Sequence, residues 1–229
     1  MYQIKENILD IIASSSAGNC YIYFNDLMVD IGVPFSKVKP YIQKINFILL
    51  SHAHSDHLNI KTLQKVLYEK PKIKICCGWF LVDKLVNANI PKKNIFVLEL
   101  DKAYIIGDYV ITPVMAIHDI SNFGYKIHNT KTGYKVFHIS DTSEIDHIEA
   151  IGYNLYCIEG NYETDEDLYE IIKQEKEQYG FSYRERVLKT HLSQLQAINW
   201  LDKNNTNGGN YIFIHQHKQK EGEKNENNE

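Results

Sequence analysis

An α/β architecture, with helices covering sheets from the outside, is what this 229-residue sequence predicts. Three observations point to it. Short β-rich runs alternate with amphipathic helical ones, the earliest runs lie close enough to pair as hairpins, and imidazoles and carboxylates gather where apolar runs stop. The β-rich runs cover residues 8–13, 20–24, 27–30, 46–50, 73–76, 95–98, 109–117, 123–128, 134–139, 155–158 and 211–214. Helical periodicity covers 35–45, 58–68, 79–87, 166–178, 183–189 and 193–203.

Taken in order, the run at 8–13 turns back on 20–24 through Ser14-Ser15-Ser16-Ala17-Gly18-Asn19. Gly18-Asn19 suits a tight hairpin, and hydroxyls with backbone N–H groups could equally hold a phosphate there. Asp30 closes the next run before Gly32 and reads as a structural hydrogen-bonder. The run Phe47-Ile48-Leu49-Leu50 stops at His52-Ala53-His54-Ser55-Asp56-His57, three histidines and an aspartate in six residues. H-x-H-x-D-H arises by chance in roughly one sequence of this composition and length in a thousand. Imidazole and carboxylate are ligands that suit zinc and neighbouring divalent ions, so the cluster is a metal site.

Further along, His118 closes the run at 109–117, Asp141 follows 134–139, and Glu159 follows 155–158. His191 sits in Thr190-His191-Leu192-Ser193, and His215 and His217 end the last run, with His215 read as the last ligand and His217 as the alternative. Five elements delivering an imidazole or carboxylate at their ends suggest a site along one rim. His138, pointing from a strand, and His128 and His147, in polar segments, read as non-catalytic. Asn207-Gly208-Gly209-Asn210 is a turn before the last strand. The acidic stretch 163–177 reads as a solvated helix face or, alternatively, a lid. Without repeat or linker, residues 1–217 read as one domain and 218–229 as a disordered polar tail.

Charge is uneven. Residues 37–93 hold 11 Lys against 3 acids, whereas 1–36 are net −3 and 94–229 net −9. The basic third includes the histidine cluster, which favours an anionic substrate or simply a solvated basic face. The only arginines are Arg184 and Arg186, so fork-type phosphate recognition is sparse. Cys20, Cys76, Cys77 and Cys157 form no C-x-x-C pair and lie in apolar runs, the pattern of reduced thiols in a cytosolic protein. No run is long enough to span a membrane, and the start lacks a signal-peptide layout.

The order H-x-H-x-D-H, lone His, Asp, final His resembles the metallo-β-lactamase superfamily. Ser14 to Cys20, Val29-Asp30-Ile31-Gly32, Ser140-Asp141-Thr142, Glu159-Gly160-Asn161 and His191-Leu192-Ser193 resemble its branch of cytosolic DNA-exonuclease-like proteins, with tRNA 3′-processing nucleases as cousins. The resemblance spans about 8–217. It implies an αβ/βα four-layer sandwich with two divalent metal ions along one edge, zinc before manganese. It places His52, His54 and His118 on one metal and Asp56, His57 and His215 on the other, with Asp141 bridging. It gives His191, oriented by Glu159, the leaving oxygen to protonate or a phosphoryl oxygen to bind, and makes Asp56 part of the catalytic centre, with Ser15, Ser16 and Asn19 toward substrate. This chain differs at Asn161-Tyr162-Glu163, at Thr190 and at Gln216-His217. The function implied is a phosphodiesterase or nuclease on DNA or RNA, in which a metal-activated water attacks phosphorus. Hydrolysis of a thioester or lactone on the same metals, and a metal-binding module without turnover, are the alternatives.

Overall fold

The computed structural model describes residues 8–216. Among them, twelve strands form two six-stranded sheets. The first runs, edge to edge, β1 (Leu9–Ser15), β2 (Gly18–Tyr23), β3 (Leu27–Val29), β4 (Phe47–Leu50), β5 (Lys74–Gly78) and β6 (Ile95–Leu98). The second contains β7 (Tyr104–Ile106), β8 (Tyr109–Ala116), β9 (Asn122–Asn129), β10 (Lys135–Ile139), β11 (Leu155–Glu159) and β12 (Asn210–Ile214), again in chain order. Each sheet opens as an antiparallel meander and finishes parallel, from β3 to β6 and from β10 to β12. Parallel neighbours need crossovers. Helices α1 (Phe35–Val38), α2 (Ile60–Glu69) and α3 (Val82–Asn87) lie in the crossovers of the first sheet, and α4 (Asp165–Tyr179), α5 (Arg184–Thr190) and α6 (Gln194–Asn204) in the one from β11 to β12.

Side-chain alternation assigns the layers. Tyr21 and Tyr23 of β2 join Val29, Leu49 and Cys76 in a core shared with Tyr125, Ile127, Val136 and Cys157 of the other sheet. The alternate residues of the strand, Cys20 and Ile22, face outward with Met28, Ile48 and Ile75 against Leu63 and Val66 of α2 and Leu85 of α3. On the far side, Phe137, Ile139, Tyr156 and Ile158 pack against Ala197, Trp200 and Leu201 of α6. Helix, sheet, sheet, helix is the four-layer αβ/βα order expected. Each fully buried aliphatic side chain adds about 1.5–3 kcal/mol, and burial on both faces explains why strands such as β4 and β11 read as continuous apolar runs.

Three elements differ from the sequence reading. The helix expected over 35–45 stops at Val38 and continues as turns to residue 44: Lys39 still takes helical backbone, but Pro40 has no N–H to carry the ladder on. Residues 79–81 are a 3-10 turn leading into α3. A strand, β7, was not anticipated, although Gly107-Asp108 between Tyr104-Ile105-Ile106 and Tyr109 is a hairpin signal, and Gly107 takes φ 59°. The first hairpin is tight as expected, but Ser16-Ala17 make its turn, with Ser15 paired to Gly18. The tail at 218–229 and His217 lie outside the described residues.

The acidic stretch forms most of α4. Thr164 caps it by accepting from Asp167 N–H at 3.1 Å, Asp165, Glu166 and Asp167 complement the helix dipole, and Gly180 at φ 80° ends it. Only Leu168 and Ile172 on it are buried.

Candidate metal centre and active site

The histidine cluster is shaped by a residue 22 positions upstream of it. Asp30, fully buried at the end of β3, accepts from Ser51 N–H (2.8 Å), the Ser51 hydroxyl (2.8 Å) and His57 Nδ1 (2.6 Å). That fixes the His57 tautomer and turns Nε2 toward the site as the unprotonated nitrogen of the neutral ring. Gly32 lets the two loops touch: a Cβ there would fall 1.7 Å from the Asp56 carbonyl oxygen. The close approach is secured by Ile31 N–H donating to His57 O at 2.9 Å.

Two groups of donor atoms converge on Asp141. In the first, His54 Nδ1 lies 3.1 Å from His52 Nε2 and 3.3 Å from His118 Nε2. Asp141 Oδ2 is 3.7 Å from His52 Nε2 and 3.6 Å from His118 Nε2. In the second, His57 Nε2 is 3.5 Å from Asp56 Oδ2 and 3.1 Å from Asp141 Oδ1, and His215 Nε2 is 3.5 Å from Asp56 Oδ2. A tetrahedral zinc with bonds of about 2.0–2.1 Å sets its ligand atoms about 3.4 Å apart, so both groups have the spacing of a metal's donors. Asp141 Oδ1 and His215 Nε2 are also buried without a hydrogen bond, which a cation would satisfy. The residues fit divalent metal.

Electrostatics divide the histidines. Burial lowers His52 well below the ordinary imidazole range and lowers His118 too, leaving both neutral as ligands must be. For His57 burial is outweighed by Asp141 and Asp30, which raise it well above its ordinary value, the response of imidazoles to carboxylates where a cation would compete with the proton. Burial pushes Asp141 up, but the charges of His57 and His215 outweigh it and hold the carboxyl well below its usual range. Burial likewise pulls His215 down, yet Asp141, Asp56 and Glu159 raise it to about 10. Asp30, Asp141 and His215 each follow a strand end and take left-handed backbone, φ 58°, 52° and 53°, a conformation costing about 1–3 kcal/mol apiece. Such strain, at two candidate donors and at the residue behind His57, is held by the packing around it.

Beside the metal-type donors stands a second arrangement. Glu159, fully buried, accepts from Thr142 N–H at 2.8 Å through Oε2, while Oε1 is 2.6 Å from His191 Nδ1 and 3.0 Å from His215 Nδ1. Burial raises Glu159, but His191 above all reverses the shift and keeps it ionised. His191 leaves α5 partly exposed, its ring centred 5.3 Å from that of His118. His118 is itself turned by Nδ1 bonding the Thr190 carbonyl at 2.9 Å. The cleft over these groups has a volume of about 680 Å³, with Ser16 and Ser55 on one side and Ser182, Tyr183 and Arg186 on the other.

The family model described as "Beta-lactamase superfamily domain" matches residues 26–216, most of the chain. The chain belongs to the β-lactamase superfamily. Its sequence is 25% identical to exodeoxyribonuclease YycJ of Bacillus anthracis over 192 residues, 78% of this chain and 69% of that protein. Its fold is similar to the metallo-β-lactamase fold protein YhfI of Bacillus subtilis, with TM-score 0.70, 18% identity, and 92% of this chain and 86% of that one covered. It is also similar to the short form of human tRNase Z, with TM-score 0.66, 13% identity and 92% of each chain covered. Superfamily and donor set together make the protein a metal-dependent hydrolase.

Within this superfamily site, the structure brings together His52, His54, Asp56, His57, His118, Asp141, Glu159, His191 and His215. The Ser-rich loop divides. Ser16 lines the cleft, Ser15 accepts from Ala17 N–H at 3.3 Å, and Asn19 is buried, with Nδ2 2.9 Å from His57 Nε2. None of the lysines between 37 and 93 lines the cleft, although Lys84 donates to the Ala53 carbonyl on the histidine loop. Two residues beside the metal-type donors, of which Arg186 lines the cleft, had no role in the sequence reading. Asp119 places Oδ1 3.1 Å from His118 Nε2 and 3.4 Å from His54 Nε2, and its Oδ2 pairs with Arg186. Their signals were slight: Asp119 adjoins His118, and Arg186 is one of two arginines. No helix among the described residues is long and apolar enough to cross a membrane, and the four cysteines are buried and unpaired.

Proposed function

We propose that the protein is a dinuclear metal-dependent phosphodiesterase acting on nucleic acid, DNA or RNA. The observation that carries this reading is the His191–Glu159 pair, 2.6 Å apart, set against a donor set whose central carboxylate faces two groups at once. His52, His54 and His118 would hold one ion, Asp56, His57 and His215 the other, and Asp141 both. Imidazole with carboxylate favours zinc, with manganese the alternative. Such ions, when bound, would acidify a water and neutralise charge growing on the phosphoryl oxygens.

The chain's own groups supply the rest. Asp56, at the cleft surface, would orient the attacking water. His191, held in one tautomer by Glu159, would carry a proton on Nε2 toward the leaving oxygen. Arg186 offers the cleft a planar cation, which would exchange Asp119 for a substrate phosphate. Ser16 at the hairpin tip would donate to the same diester. The similarity to an exodeoxyribonuclease supports a nucleic-acid substrate, and four buried thiols suit a reducing cytoplasmic setting.

The test is turnover of bis-p-nitrophenyl phosphate, single- and double-stranded DNA, RNA and a thioester by zinc- or manganese-loaded protein. Asp56→Ala serves as control. Diester cleavage abolished by Asp56→Ala supports the reading; thioester cleavage with every diester untouched overturns it.

A further inference from the structure

A second cavity, of about 460 Å³, meets the metal cleft at His118 and is lined mainly by apolar side chains, alongside Asp119, Ser121 and Asn122. Its walls are Trp79, Leu100 and Met115, its floor Phe80 and Phe123, and His118 lines both this groove and the metal cleft. Trp79 is 73% exposed, whereas its neighbour Phe80 turns inward to meet Phe123 edge-on with ring centres 5.0 Å apart. Gly78 makes that packing possible, since a Cβ there would lie 2.2 Å from the Phe80 ring and 2.8 Å from Phe123. The floor is tied to the site itself. Phe123 N–H donates to Ser51 O at 3.2 Å, and Asn122 Nδ2 donates to the backbone carbonyl of Asp141 at 2.7 Å.

We infer that this groove is a nucleobase subsite in which Trp79 stacks on the base next to the scissile phosphate. The inference rests on the phosphodiesterase reading and adds where the substrate's uncharged part goes. No lysine or arginine lines the groove, so a phosphate gains nothing there. A flat, largely apolar ring gains an aromatic face and a dry floor, and every base offers such a ring. The volume is that of a small-ligand pocket rather than of a protein docking surface. Because His118 is common to both cavities, a diester over the metal donors places its adjoining base at Trp79. Arg186, paired with Asp119 at the junction, marks the backbone side.

Fluorescence reads this directly, because the other tryptophan, Trp200, is only 1% exposed and stacked on Phe137. The metal-loaded protein is titrated with a phosphorothioate-linked thymidine tetranucleotide and with an abasic tetramer of the same backbone. The base-bearing strand is expected to change the emission saturably and to bind about tenfold more tightly than the abasic one. Trp79→Ala should erase that difference, and Trp79→Phe should keep the affinity while losing the emission change. Hydrolysis of methyl p-nitrophenyl phosphate should be the same in all three proteins. Equal affinity for the two strands, or an undiminished preference in Trp79→Ala, overturns the subsite while methyl p-nitrophenyl phosphate turnover leaves the phosphodiesterase reading standing. Absence of that turnover in the wild type overturns both.

Discussion

Asp30 Oδ2 lies 2.6 Å from His57 Nδ1, and neither side chain touches solvent. The carboxylate therefore acts on the candidate metal centre through a ring it orients, and it simultaneously pins Ser51 at the start of the histidine loop. Asp30→Asn keeps a side chain that tolerates the left-handed backbone but accepts with only one oxygen. Its metal affinity should fall about 10–100-fold, measured by competition with a chromogenic chelator. Asp30→Ala also strands buried donors and should lose a further 1–3 kcal/mol or so in urea unfolding. Unchanged metal affinity in both variants would mean that His57 needs no such support.

Asp141 is the one carboxylate whose two oxygens face different donor groups. Asp141→Ala should therefore lower bound metal at both positions, whereas Asp56→Ala should spare the His52–His54–His118 group. Metal analysis after dialysis is expected to give about two ions per chain for wild type, about one for Asp56→Ala and fewer for Asp141→Ala. Chelation should also lower Tm, because the ions bind the folded chain and not the unfolded one. A single ion in the wild type would remove the bridging role.

The dyad of His191 and Glu159 makes a different prediction, about leaving groups. A general acid matters most when the departing oxygen is a poor leaving group. His191→Gln should reduce kcat on an oligonucleotide by about 10²–10⁴-fold. On bis-p-nitrophenyl phosphate, whose phenolate needs no proton, the loss should be only several-fold. Equal losses on both substrates would point to phosphate binding by His191 instead.

The sequence carried the site better than its surroundings, and the reason is chemical. His52, His54, Asp56 and His57 are adjacent, so their spacing is visible without a fold, and the strand ends at His118, Asp141, Glu159 and His215 are marked by apolar runs stopping. Asp30 was legible as a hydrogen-bonder but not as the partner of His57, since a contact across 27 residues depends on parallel pairing of β3 with β4. Asp119 and Arg186 meet across 67 residues, and only the placement of α5 over the cleft brings them together. The shortened α1 shows the converse: the apolar periodicity of 35–45 is real, with Val38, Ile42 and Ile45 buried, yet Pro40 lacks the N–H that would continue the helical ladder.

His138 shows how a histidine outside the site shapes stability. It lies in the core between the sheets, its Nδ1 2.8 Å from the Tyr23 hydroxyl and its ring edge-on to Tyr21 at 4.9 Å. Burial pulls its pKa from 6.5 down to about 4, so the native ring is neutral. Because the folded pKa is depressed, the unfolded chain binds the extra proton first. The stability is fully present above pH 6.5 and is lost as pH falls toward 4, by about 3 kcal/mol in all. The site histidines titrate as well, so the informative quantity is the difference between wild type and His138→Gln, a variant without a titrating ring. At pH 7.5 the variant should be the less stable in urea, having traded a packed imidazole for an amide between two tyrosines. The gap should narrow by roughly 3 kcal/mol by pH 4, because only the wild type has a buried ring to protonate. A gap that stays constant across that range would mean His138 is protonated as readily in the native core as in the unfolded chain.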